Sequence, residues 1–199
     1  KKILAIVISS FFLFGSSYAA GINVGISGQM AVFHATGTET ENAEISSDDA
    51  TGVAGYASIF IEKELGPITL GLDYVPSSLS SETSETKVND IKGKDDGAST
   101  LQTNKVQVDF DDLTTLYVAL NTPMGFYVKA GVVQVDVTTN ETLGTGSTYA
   151  NTDMDGTMVG VGFTNSFDNG TFLRVEGTMM DFGSASVTAS NTDNKVELK

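Results

Sequence analysis

The sequence predicts an all-β fold, an eight-stranded antiparallel up-and-down barrel, from two observations. The first is a hydrophobic period of two, which is the period of a strand with one apolar face. It is clearest between Val53 and Tyr74, where two alternating runs flank the turn Glu64–Pro67. The second is the way the runs are joined, because short turns and long polar segments follow one another in strict alternation. Short turns join neighbouring strands that run in opposite directions, so we expect an antiparallel sheet.

Composition limits the possible functions. The chain has 199 residues and no cysteine, which leaves no disulfide, zinc–thiolate or thiol chemistry. Its formal net charge is −14, and a surface of this charge repels phosphate backbones, so we expect no nucleic-acid partner. Acidic loops can instead attract divalent cations or external proteins, which stay candidate partners.

Residues 1–19 have the pattern of an export signal peptide. Two lysines precede an apolar run from Ile3 to Phe14, which is too short to span a bilayer as a helix. Small side chains at the end of the segment predict cleavage before Ala20. The alternative is an N-terminal membrane anchor. The mature domain is then residues 20–199.

Seven strands and the start of an eighth can be placed along the chain. Long polar loops are predicted near 36–52, 77–104, 139–153 and 183–194, and short turns at 64–67, 121–125 and 166–170. The predicted strands are 22–34, 53–62, 68–74, 105–120, 126–138, 156–165 and 171–182, and an eighth begins at 195–199.

Two predicted strands break their own alternation. In the fourth, Asp112 and Thr114 interrupt a row of apolar positions, and its first half is expected to project beyond a bilayer. In the fifth, the apolar positions change parity after Val132. We predict a β-bulge near Val132–Val133, which would keep one continuous apolar face.

With its apolar rows outward, such a closed sheet is a transmembrane β-barrel, with short periplasmic turns and long external loops. Aromatic residues near the strand ends predict two belts at the membrane interfaces. The proposed belts are Phe33, Tyr56, Tyr74, Phe110 and Phe182 at the long-loop end, and Phe60, Phe126, Tyr127 and Phe167 at the short-turn end.

The export signal, the strand rhythm and segments such as Ile68–Tyr74 resemble the small outer-membrane β-barrels of the OmpA, OmpX and opacity type. The resemblance implies an integral outer-membrane protein of a Gram-negative type, with outer-membrane lipid as its partner and acidic external loops. It implies a structural or surface-interaction role. We predict no enzymatic activity, and a lipid-modifying enzyme that uses His34 is a more distant alternative. That family usually ends on an aromatic residue, whereas this sequence ends at Lys199 within a strand. We therefore expect a fragment whose last strand is truncated.

The inward face is the candidate functional site. Arg174 is the only arginine, and several polar residues share its predicted face. Side chains just fill the interior of an eight-stranded barrel, so we expect a packed network of salt bridges and hydrogen bonds. The alternative is a narrow path for ions or protons. The predicted members of the network are Glu62, Asp73, Tyr117, Lys129, Arg174 and Glu176.

Other chemistry has little support in the sequence. His34 is the only histidine, and no nucleophile motif accompanies it, so no catalytic residue is predicted. Asp153, Asp155 and Gly156 resemble the start of a calcium loop, but Thr164 occupies the position that needs a glutamate. We expect no dedicated metal site and no cofactor. A small pore for passive transport and a soluble lipocalin-like carrier with its apolar face inward remain as alternatives.

Overall fold

The computed structural model describes residues 3–8, 13–18, 21–41, 44–90, 100–190 and 195–198. In these ranges the chain is all-β and forms a curled antiparallel sheet, which confirms the predicted fold class at this level. Among the described residues, no helix has the length and apolar character needed to cross a membrane. The strands are β1 (Ile3–Ile8), β2 (Leu13–Tyr18), β3 (Ile22–Glu41), β4 (Glu44–Leu65), β5 (Ile68–Tyr74), β6 (Leu79–Ser80), β7 (Ser84–Asp90), β8 (Thr100–Asn121), β9 (Phe126–Thr142), β10 (Thr152–Ser166), β11 (Thr171–Phe182), β12 (Ala185–Thr188) and β13 (Lys195–Leu198).

The sheet follows the chain in its central part. β3, β4, β5, β8, β9, β10 and β11 are antiparallel neighbours in that order. β1 and β2 each pair with β11 on one edge and with β3 on the other. The short β6 and β7 pair with β8, and β13 lies between β12 and β3. The segment predicted to begin an eighth strand is thus a strand beside β3.

The hairpin of β4 and β5 turns within the predicted segment 64–67, and the turn itself has two residues. Leu65 pairs with Ile68, which leaves Gly66 and Pro67 as the connection. Gly66 has a φ of 68°, a left-handed conformation that glycine adopts without steric cost. A glycine at this first turn position suits the right-handed twist of the two strands.

All four segments predicted as polar loops contain paired strand residues, since β9 extends to Thr142, β10 begins at Thr152 and β12 pairs with β13. The two largest departures are in 36–52 and 77–104. β3 and β4 continue as a ribbon until Glu41 pairs with Glu44, so the loop predicted from residue 36 is wrong there. Ser84–Asp90 pairs with the first residues of β8, which begins at Thr100 and not near Lys105. Both predictions failed because backbone hydrogen bonds and β-branched threonines sustain a ribbon without an apolar face.

The predicted bulge lies on a different strand. β9 alternates without interruption through Val132 and Val133, so the bulge expected there is wrong. The irregularity falls in β8, between Asp111 and Thr114, and Asp112 has a φ of 53°. Aspartate is one of the few side chains that tolerates this left-handed region. The extra residue on β8 changes which of its alternate side chains face inward. β9 therefore keeps a regular alternation.

The inward and outward faces differ sharply in polarity on the short-turn half of the sheet. Large apolar side chains point outward there and are exposed. We call them the outer apolar band: Ile26, Met30, Val32, Val53, Ile59, Ile61, Ile68, Leu70, Leu72, Leu116, Val118, Leu120, Phe126, Val128, Val132, Val159, Val161, Phe163, Val175 and Met179.

The polarity inverts on the long-loop half. The inward face there carries what we call the apolar layer, a buried cluster that includes Val75, Leu113, Val133, Val135, Val137, Met154, Met158 and Met180. The outward positions that follow the band on β9 and β10 are Gln134, Asp136, Asp153 and Asp155, all exposed. The bulge at Asp112 lies at this change, and it turns Val108 and Phe110 toward the apolar layer.

Most of the predicted aromatic belt is wrong in detail. Tyr56, Phe60 and Tyr127 are 8%, 4% and 4% exposed and lie on the inward face. Phe33, Phe110 and Phe182 pack against the apolar layer. The sequence pattern indicates that an aromatic residue lies near the end of a strand. Whether its side chain points inward or outward depends on its position in the alternation along that strand.

Candidate functional site

The inward face of the short-turn half carries a polar cluster, here called the polar layer. Its most buried ion pair joins Arg174 on β11 to Glu62 on β4. Arg174 Nη1 and Nη2 donate to the two carboxylate oxygens of Glu62 at 2.6 and 2.9 Å. The two residues are 9% and 2% exposed. A two-point guanidinium–carboxylate contact of this kind fixes both position and orientation.

Glu62 and Arg174 have further partners that satisfy their polar atoms. The Tyr117 hydroxyl donates to Glu62 Oε1 at 2.7 Å, and Arg174 Nε donates to Thr164 Oγ1 at 3.1 Å. Desolvation of an ion pair is costly unless the remaining polar atoms are also bonded. These additional hydrogen bonds therefore help to offset the desolvation cost of the buried ion pair.

Three aromatic rings surround the guanidinium of Arg174. Its Cζ lies 5.7 Å from the ring centre of Phe60, 5.1 Å from that of Tyr127 and 5.2 Å from that of Phe172. A cation within about 6 Å of a ring is attracted by the ring quadrupole. Phe60 and Phe172 also contact each other, with ring centres 6.1 Å apart. These three rings lie near the short-turn end of the sheet.

A second ion pair lies beside the first. Lys129 on β9 pairs with Glu176 on β11, and the two side chains are 9% and 8% exposed. The Tyr127 hydroxyl donates to Glu176 Oε2 at 2.5 Å. Lys129 Nζ also lies 4.5 Å from the ring centre of Tyr117. Rings and charges therefore link the two ion pairs into one network.

Two inward glycines make room for the tyrosine rings. A Cβ atom on Gly71 would lie 2.3 Å from Tyr117 Cζ, and one on Gly162 would lie 2.3 Å from Tyr127 Cζ. No side chain fits at these positions unless the rings move. Glycine in a strand usually marks such a close approach.

Asp73 on β5 belongs to a separate chain of hydrogen bonds. The Ser58 hydroxyl donates to Asp73 Oδ2 at 2.8 Å. Ser58 and Ser27 Oγ atoms are 2.6 Å apart, and Gln29 Nε2 donates to both, at 2.8 Å to Ser27 and 3.0 Å to Ser58. These neutral groups all come from β3 and β4.

The structure brings five of the six predicted residues into one network. Glu62, Tyr117, Lys129, Arg174 and Glu176 are joined by hydrogen bonds, ion pairs or ring contacts. Asp73 lies on the same face but bonds to Ser58 instead. Sequence reasoning missed the aromatic and neutral members of the layer, which the parity of their strands could have identified: Ser27, Gln29, Ser58, Phe60, Tyr127, Thr164 and Phe172.

The other sequence candidates lie elsewhere. His34 is on β3 opposite Thr51, and its Nδ1 is 3.1 Å from Thr51 Oγ1. Asp153 and Asp155 point outward within β10, and Asp153 is registered with Asp136 of β9. In the ranges the structure describes, no three acidic, histidine or cysteine side chains are grouped to hold a metal ion.

The arrangement can hold strands together across the inward face of the sheet. Paired charges and aromatic rings fill the short-turn half, and the apolar layer fills the long-loop half. Comparison with protein-family models, with curated proteins and with solved structures found no match. The function must therefore be inferred from the geometry of the sheet and its polar layer.

Proposed function

We propose that the chain forms a closed eight-stranded transmembrane β-barrel in a Gram-negative-type outer membrane, with a structural or surface-interaction role. The observation that carries this proposal is the polarity of the short-turn half. Val118 and Leu70 are 45% and 44% exposed, whereas Arg174 and Glu62 are buried. A protein folded in water has the opposite arrangement.

The outer apolar band is energetically better suited to lipid than to water. Burying a Val, Leu, Ile or Phe side chain away from water is worth about 1.5–3 kcal/mol. The outer apolar band has twenty exposed side chains, eighteen of these types and two methionines, and it would be an unusual liability in water and an ordinary surface in lipid. Backbone polar groups in lipid need internal partners, which a closed antiparallel sheet supplies.

The strand register supports closure when β1 occupies the place between β11 and β3. After cleavage before Ala20, another strand would have to take this place. Registered partners can be followed from Ile22 on β3 to Met179 on β11, and from there through Ile6 on β1 to Val32 on β3. The path returns to β3 at Val32, ten residues after its starting point at Ile22. Strands that close into a barrel must be staggered in this way, because they tilt against its axis. The intermediate partners are Lys63, Leu70, Val118, Ala130 and Val159.

The height of the band suits a bilayer. On β3 the outward apolar positions run from Ile22 to Val32, and a tilted crossing needs about 9–11 residues. On β9 the outward row changes from Val132 to Gln134, and on β11 from Met179 to Asp181. Acidic and amide side chains at these positions would lie at the external interface and beyond it.

The filled interior favours a structural role over transport. Met158 and Val137 in the apolar layer are each 1% exposed, and four charged side chains of the polar layer form two ion pairs. A small pore would require both layers to open. A soluble lipocalin-like carrier would need the apolar rows to face a ligand cavity, whereas here they face outward.

A pair of single-cysteine variants tests the proposal, since the native chain has no cysteine. Val118→Cys lies in the band, and its matched control Asp136→Cys is outward but beyond the band. In reconstituted vesicles, a bimane label at 118 should be quenched by lipid-borne quenchers, and a water-soluble maleimide should react only at 136. Equal aqueous reactivity at both positions, or release of the chain from membranes by carbonate, would refute membrane insertion.

A further inference from the structure

β1 and β2 occupy a space between β11 and β3 that is one strand wide. Ile6 of β1 is registered with Met179 of β11 and with Val32 of β3. Farther along, β2 is registered in the same way with residues 171–174 of β11 and 22–26 of β3. Because the same segments pair on both sides, a second strand does not fit. We call this space the strand lane, and its two edges are residues 22–32 of β3 and 171–182 of β11.

The direction of the two edges determines what the lane can hold. Between β3 and β11 the sheet passes through β4, β5, β8, β9 and β10, and each strand is antiparallel to the next. The two edges therefore run in the same direction. A strand that runs the other way, as β1 and β2 do, pairs antiparallel with both of them. Direct parallel pairing of the two edges would be less stable per residue.

The mature domain has no described strand in the lane. Among the described residues after Ala20, β13 is the strand that pairs with β3 on this side, and it pairs only with residues 37–40, beyond the lane. The other side of β13 is paired with β12. Cleavage before Ala20 therefore leaves the backbone N–H and C=O groups of both edges without partners from the described part of the mature domain. Unpaired edges of this length are templates for an added strand.

The side chains along the edges define the chemistry of that strand. On the outward face the lane is bordered by exposed apolar side chains, Ile26 and Val32 on one edge and Val175 and Met179 on the other. On the inward face it is bordered by buried side chains such as Thr178. Neighbouring side chains on one face of a sheet contact each other. The strand should therefore carry apolar residues at every second position, with small or neutral polar residues between them.

We propose that the processed chain is a strand acceptor, whose lane binds one extended peptide segment of a partner chain, antiparallel to both edges and apolar at every second residue. Backbone hydrogen bonds on two sides would supply affinity, and the alternating side chains would supply specificity, as in other cases of β-strand addition. The proposal deepens the proposed surface-interaction role and rests on cleavage before Ala20. Binding is measured in detergent, so it can fail while the membrane labelling at position 118 succeeds, and the reverse.

A synthetic peptide of residues 1–18 is the probe, because its segments pair with both edges in the full chain. The chain of residues 20–199 is refolded in detergent, and the fluorescence anisotropy of the labelled peptide follows binding. We expect saturable binding to the 20–199 chain and no measurable binding to the full chain, whose lane is filled. A Val7→Pro peptide should bind roughly ten-fold more weakly or worse, since proline removes a backbone donor and is excluded from the middle of a sheet.

Disulfide formation checks the register, since the native chain has no cysteine. An Ile6→Cys peptide should cross-link to the Met179→Cys acceptor, because positions 6 and 179 are registered partners. The same peptide should not cross-link to the Val118→Cys acceptor, where the cysteine is in the outer apolar band but on β8.

Three results would overturn the proposal: equal peptide binding by the two chains, equal cross-linking at 179 and 118, or a 20–199 chain that pairs with a second copy of itself and excludes the peptide. Circular dichroism covers the case in which the 20–199 chain does not fold alone. Folding that depends on the added peptide would support the proposal, and a chain that the peptide does not rescue would count against it.

Discussion

Arg174 on β11 and Glu62 on β4 share two hydrogen bonds although 112 residues separate them in the chain. The two strands are not neighbours in the sheet. The ion pair therefore crosses the interior and joins strands that backbone hydrogen bonds do not connect. Contacts of this kind fix the curvature of a sheet as well as its stability.

Removal of one partner of this pair should be costly. Glu62→Gln leaves the Arg174 charge buried without its counter-charge, and such a change costs about 3–5 kcal/mol. Urea unfolding followed by circular dichroism measures the loss. Glu85→Gln is the control, because Glu85 pairs with Lys105 on an exposed surface, where a salt bridge is worth about 0–1 kcal/mol. Equal losses in the two variants would contradict the structural role of the buried pair.

Gly162→Ala should destabilise the protein by steric conflict. The added methyl group would meet the Tyr127 ring, and overpacking of this kind costs about 1–3 kcal/mol. The matched control is Gly177→Ala on the adjacent strand, where nothing lies within 4 Å of the added atom. Chemical denaturation of both variants checks the prediction. A loss at 177 as large as that at 162 would show that strand propensity, not ring contact, is responsible.

Asp112 should tolerate some substitutions and reject others. Its φ of 53° is available to glycine and asparagine but strains a β-branched side chain. Asp112→Asn should be nearly neutral, and Asp112→Gly should lose only the hydrogen bond from Tyr74. Asp112→Val should lose that hydrogen bond as well, and backbone strain should lower its stability by a further amount of about 1–2 kcal/mol. The order of the three denaturation midpoints is the measurement, and a valine variant as stable as the glycine variant would be inconsistent with the bulge.

The reconstituted protein should give no stepwise current in planar bilayers. The paired charges and the apolar layer obstruct the interior in series, so Glu62→Gln should also be silent while Met158 and its neighbours stay packed. Resistance to carbonate extraction controls for insertion. Stepwise current from the wild-type protein would favour the alternative role as a small pore.

Export should remove residues 1–19. The mass of the purified exported protein should then match a chain that begins at Ala20, and a bulky Ala19→Leu variant should keep the longer chain. Cleavage would free the edges of β3 and β11 that β1 and β2 cover. An exported wild-type protein that retains residue 3 would favour the alternative of an N-terminal anchor.

Period-two alternation was sufficient to predict much of the sheet. The bounds Thr171–Phe182 of β11 are as expected, and the turn at Gly66–Pro67 lies within the predicted segment 64–67. Both combine a clear pattern with a strong turn residue. The same pattern placed the charged residues on the inward face. Arg174, Glu62 and Lys129 were identified because charge is incompatible with an apolar row.

Other features depend on information that a local pattern does not carry. The ribbon that ends at Glu41 and Glu44 is held by backbone pairing, to which hydropathy is insensitive. The sequence pattern did not determine which strand carries the bulge. An extra residue on either β8 or β9 would bring the inward-facing positions of the two strands back into alignment. Asp73 was grouped with the ion pairs because parity gives the face of a side chain but not its partner.

The single extra residue in β8 has a consequence for insertions and deletions. Deletion of Asp112 would rotate the outer half of this strand by one position relative to its neighbours. Val108 and Phe110 would turn into water, and Asp109 and Asp111 would turn into an oily interior. One amino acid thus determines which face of this strand is apolar on each side of the bulge.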